Sequence, residues 1–116
     1  MTIRRLKTYP SSQGYVYSYS FAGKRPAEEP GADEYIFDVT SDLRTTNTVG
    51  IIFPINVAAA WADAHGRTLS DAEQFAAAKL RLFRAFDEEP DMRSRPHQVC
   101  IDLPFLEESL ASLGVD

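Results

Sequence analysis

Between Gly14 and Ala22 the chain sets Tyr15, Tyr17, Tyr19 and Phe21 at every second position, with Val16, Ser18 and Ser20 between them. A period of two built from β-favouring aromatics describes a half-buried strand, and it requires a covering layer broad enough to bury a row of rings. Glu34 to Thr40 repeats the pattern, with Tyr35, Phe37 and Val39 alternating against Ile36, Asp38 and Thr40. Lys24 to Asp33 contains Pro26, Pro30, Gly31 and the acid pair Glu28-Glu29, and reads as an exposed loop between the two strands. Val49 to Phe53 is a short apolar run of the central-strand kind, stopped by Pro54, and Val99 to Ile101 supplies a fourth strand.

Two central helices follow from different signals. Val57, Ala60, Trp61 and Ala64 share one helical face, Asn56 is the expected N-cap, and Gly66 stands where a left-handed terminating glycine belongs. Ser70-Asp71-Ala72-Glu73 is a capping box that opens a second helix running to about Phe86 or Glu88. Its apolar arc is expected to contain Ala72, Phe75, Ala76, Leu80, Leu82, Phe83 and Phe86, with Lys79 inside that arc. Pro104 opens a short helix from Phe105 to Leu113, which Gly114 ends.

The order β-β-β-α-α-β-α predicts an α+β two-layer sandwich, with an antiparallel or mixed sheet of about four strands and two to three helices on one face. At 116 residues and 44% hydrophobic content, residues 1–116 suit a single domain, with residues 1–13 open to being an arm. A core of this size needs neither a metal nor a disulfide, and the single Cys100 excludes an internal disulfide and a multi-cysteine zinc site. No cofactor and no metal are expected.

The net charge of -5 has the wrong sign for holding nucleic acid through its phosphates. Residues 1–25 carry +5 through Arg4, Arg5, Lys7, Lys24 and Arg25, against −10 on the remainder. Asp71 and Glu73 argue against residues 61–79 as a DNA-reading helix-turn-helix, because they would face phosphates. Gln13 to Tyr19 shares aromatic alternation with RNA-stacking strands, but no basic residue precedes its glycine. Arg4-Arg5 is followed by polar residues where an export signal needs an apolar stretch, and the uncharged run Thr45 to Ala62 is broken by Gly50, Pro54 and Asn56. A cytoplasmic protein bound to no membrane is the expectation.

Lys79 is the informative anomaly. It is expected to snorkel at the domain edge, to pair with Asp38 or Asp102, or to hold an anionic ligand in a pocket between sheet and helices, with His65, Tyr17 and Tyr19 as further polar groups. His65 also fits a last helical turn, where it interacts with the final carbonyls. The face of the sheet away from the helices would carry Val16, Ile36 and Ile52, and with the acids Glu28 and Glu29 these form the candidate protein interface. No motif for nucleophilic, metal or phosphate chemistry is present. The expected function is a non-enzymatic interaction or regulatory module of the inhibitor or immunity type, with a protein partner or a second copy in a homodimer. A small-ligand-binding protein or enzyme with a pocket at Lys79 is the alternative.

Overall fold

In the computed structural model, which describes residues 6–89, 92 and 97–115, a single five-stranded sheet carries three helices. The strands are β1 (Lys7–Pro10), β2 (Val16–Pro26), β3 (Ala32–Thr40), β4 (Asn47–Pro54) and β5 (His97–Cys100). They lie side by side in that order. The first four form an antiparallel meander, and β5 joins β4 in parallel after the chain has passed through α1 (Ile55–His65) and α2 (Asp71–Glu88). Helix α3 (Leu103–Ser112) completes the second layer. The sandwich is the one expected, with five strands instead of four.

The additional strand comes from the segment read as open to being an arm. Lys7 pairs with Tyr19 and Pro10 with Val16, while residues 1–5 lie outside the described part. Four residues are too few to show a period, and Pro10 is tolerated because an edge strand does not need every amide. Tyr9 anchors β1 by stacking on Phe83 of α2 at 4.4 Å.

Strand β2 is longer than its alternation suggests. A register shift between Phe21 and Gly23 inserts an extra residue, and pairing resumes with Gly23 opposite Ile36, Lys24 opposite Tyr35 and Arg25 opposite Glu34. The loop expected over residues 24–33 is therefore only residues 27–31. The shift reverses which positions face the helices, so Arg25 emerges on the uncovered face.

On the covered face Tyr17, Tyr19, Tyr35, Phe37, Val39, Val49, Ile51 and Phe53 are buried beneath the helices. Tyr17 stacks on Phe86 at 4.3 Å, and Trp61 of α1 is fully buried. Phe21 departs from its row and remains 41% exposed beside the bulge.

Two helix ends, at Ser70 and Gly66, follow their sequence signals, and α3 opens with Pro104 in its first turn as expected, on a cap that the sequence reading did not assign. Ser70 Oγ accepts from the Glu73 amide at 3.1 Å, and the Ser70 amide donates to Glu73 Oε1 at 2.9 Å, closing the box. Gly66 adopts φ 72° and its amide donates to Ala62 O, and Asp102 caps α3 by accepting from the Phe105 amide at 2.8 Å. Helix α1 differs: β4 runs directly into it at Pro54, with no side-chain cap, and Asn56 lies inside its first turn.

The buried side of α2 is Ala77, Ala78, Leu82, Ala85 and Phe86, rotated from the expected arc, and Ala72 is exposed. Small residues let the helix approach its neighbours closely. Phe75 and Phe83 instead lean from its flank over β1, β2 and β3. That rotation moves Lys79 from the core to the margin.

Candidate functional site

The helices leave one face of the sheet uncovered, and a carboxylate is buried there. Glu34 sits at the centre of the meander, opposite Arg25 in β2 and Ile52 in β4, and is only 3% exposed. Its Oε1 accepts from Arg25 Nε at 3.0 Å and its Oε2 from Gln98 Nε2 at 3.0 Å, so both oxygens are satisfied. Gly50 leaves the space in which the carboxylate lies. Sequence reasoning placed Glu34 only at the start of the second strand. The one available signal was its parity with Ile36 and Asp38, and the bulge that supplies Arg25 was invisible.

Beside this cluster, the 27–32 segment folds up as the wall of a groove of about 800 Å³. Its other sides are Ile52, Pro54 and Ile55 from the β4–α1 passage and Gln98 and Cys100 from β5. Ile55 is 57% exposed at the rim, and the Cys100 thiol is free and exposed. Three of the expected interface residues, Glu28, Glu29 and Ile52, line this one concavity. Neither glutamate makes an ion pair among the described residues. Ile36 is half-buried between the groove and the far end of the face, and Val16 is exposed beside the β1–β2 turn.

At that far end, a shallow hollow is lined by Leu6, Ser20, Asp38, Thr40 and Leu43. Leu43 is 73% exposed and has φ 63°, the only positive φ at a non-glycine among the described residues. The left-handed conformation costs a side chain with a β-carbon about 1–2 kcal/mol, so the turn must hold it in place. Thr40 Oγ1 accepts from the Leu43 amide at 3.0 Å, and Asp42 Oδ1 accepts from the Arg44 and Thr45 amides at 2.8 Å each. Those two amides hold the Asp42 carboxyl below its ordinary range.

The four polar groups considered as ligand-binding do not converge. Tyr17 is fully buried under Phe86 and closed to any ligand. His65 stacks on Trp61 at 4.1 Å and turns its Nε2 to Glu107 of α3 at 2.8 Å. Lys79 and Tyr19 do meet: Lys79 Nζ lies 5.9 Å from the Tyr19 ring and 6.0 Å from that of Phe83. Neither expected ion-pair partner reaches this lysine, because Asp102 caps α3 and Asp38 lies on the uncovered face. Burial, followed by the adjacent Lys7 ammonium, holds the Lys79 amine below the usual lysine range.

No family model matches the chain, and neither the characterised proteins nor the solved structures compared with it give a match. The geometry therefore stands alone. Among the described residues no three His, Cys, Asp or Glu side chains gather as a metal site, and no helix is long and apolar enough to cross a membrane.

Proposed function

We propose that the protein is a non-enzymatic interaction module that self-associates through the uncovered face of its sheet. The observation that carries this reading is a projecting apolar residue and an apolar groove at opposite ends of the same face: Leu43 beyond Asp38, and the concavity at Ile52 and Ile55. A two-fold axis near the Ile36–Gly50 pair carries each end of one protomer onto the opposite end of another, the relation an isologous dimer needs.

Charge supports the same arrangement. Arg44 follows Leu43 in the turn and makes no ion pair among the described residues, and Glu28 and Glu29 on the groove wall make none either. Docking would bring these unlike charges together at the rim, where they favour the correct register. Leu43 in a strained conformation, aimed at solvent, also has no use in an isolated protomer. The single exposed thiol favours a reducing compartment such as the cytoplasm.

Sedimentation velocity over a concentration series tests the reading. A dimer is expected that dissociates in Leu43→Asp and in Ile55→Asp, with circular dichroism unchanged. A monomer at every concentration, or a dimer indifferent to both substitutions, would overturn it.

A further inference from the structure

On the other side of the sheet, at the edge formed by β1 and β2, two lysines stand together without a counter-ion among the described residues. Lys7 is the direct cross-strand partner of Tyr19, and Lys79 reaches the same tyrosine ring from α2. Both line a cavity of about 170 Å³ whose remaining walls are Tyr19, Ser20, Phe21, Phe37 and Phe75. The residues one turn from Lys79 along α2 are Phe75, Ala76, Leu82 and Phe83, so its own helix offers no acid. Among the described residues neither lysine forms an ion pair, although the chain has 17 acids to its 12 lysines and arginines. Placing two ammonium groups side by side over aromatic surface costs free energy, and an anion between them would recover it.

We propose that Lys7, Lys79, Tyr19 and Phe21 form a binding subsite for a small carboxylate that carries an aromatic or short apolar group. The two ammonium groups would each donate to one carboxylate oxygen, a charge-assisted contact strengthened by the low-dielectric walls. The half-exposed Phe21, packed edge-on against Phe75 at 4.9 Å, offers the apolar surface on which the rest of the ligand would lie. The cavity is smaller than the roughly 300 Å³ at which sites for drug-sized ligands begin, so it suits an acid head and a single ring. It lies on the helix-covered side, away from the face assigned to self-association, and of its lining residues Ser20 alone also borders the hollow at Leu43.

The test is an NMR titration of the whole protein with benzoate, with benzamide as the uncharged isostere and inorganic phosphate as the anion without a ring. Saturable shifts confined to the amides around Lys7, Tyr19, Phe21 and Lys79 are expected with benzoate. Lys7→Met and Lys79→Met should each weaken binding roughly tenfold or more, and Lys79→Arg should retain it. Thermal melts of the same variants show that the fold is kept, because removing one of two like charges relieves repulsion. Absence of saturable shifts, equal binding of benzamide or of phosphate, or benzoate binding that survives in the Lys7→Met/Lys79→Met double variant would overturn the proposal.

Discussion

The Glu34 carboxylate occupies the space in front of Gly50 that any β-carbon would fill. Both residues belong to the uncovered face, and the contact explains why a glycine stands in the central strand where side-chain packing would otherwise favour a valine. Gly50→Ala must push the carboxylate off Arg25 and Gln98, and we expect a loss of about 1–3 kcal/mol. In a Glu34→Ala background the same substitution should cost much less. A double-mutant cycle by urea denaturation checks this, and additive losses would separate the two residues.

Leu43 makes the opposite prediction for folding and for association. Leu43→Gly removes the left-handed penalty at φ 63° and removes the projecting side chain. The protomer should gain up to about 1 kcal/mol, after the extra chain entropy of glycine is subtracted, while the proposed self-association should weaken. Denaturation of dilute protein and sedimentation of concentrated protein read the two effects separately.

Glu73 gives the capping box a pH dependence of definite sign. The Arg67 guanidinium, held at 2.8 Å and 2.9 Å, and the Ser70 amide lower its carboxyl from 4.5 to about 2. A depressed folded-state value contributes stability that is complete above pH 4.5 and is lost as the pH falls through about 2. Melting temperatures recorded between those limits should therefore fall less steeply in Glu73→Gln than in the parent.

Tyr9 ties the first strand to the end of α2 by donating to Asp87 Oδ2 at 2.7 Å, and this bond to a carboxylate raises its phenol to about 12. In an alkaline absorbance titration Asp87→Asn should return that phenol towards 10.0, and Tyr9→Phe should remove the late component. Loss of the bond should also cost about 1–2 kcal/mol and speed amide exchange along β1.

The elements that could be read from the chain are those whose signal is local. The tyrosine alternation, the Ser70–Glu73 box and Gly66 each specify their own conformation within a few residues, and all three hold. The parts that escaped depend on pairing. Nothing near Gly23 announces that one inserted residue will place Arg25 beside Glu34, and nothing near Lys7 announces that four residues will complete the sheet and meet Lys79. Leu43 was hidden for a related reason: Asp42 and Thr40 organise the turn, so a leucine occupies a position where only glycine or asparagine would have been a visible mark.

The route by which β5 enters the sheet has a kinetic consequence for the groove. Arg25 and Glu34 are nine residues apart across a hairpin, whereas Gln98 reaches Glu34 from 64 residues away and only after α1 and α2 have been laid down. Closing a short loop is entropically cheaper than closing a long one, so the hairpin pair assembles early and Gln98 late. Gln98 and Cys100 also line the groove, on a four-residue strand that the rest of the sheet does not need for its pairing. Detachment of β5 alone would thus unmake the groove and rehydrate Glu34 while the meander stays intact, coupling the availability of the proposed docking face to the least costly opening of the sheet.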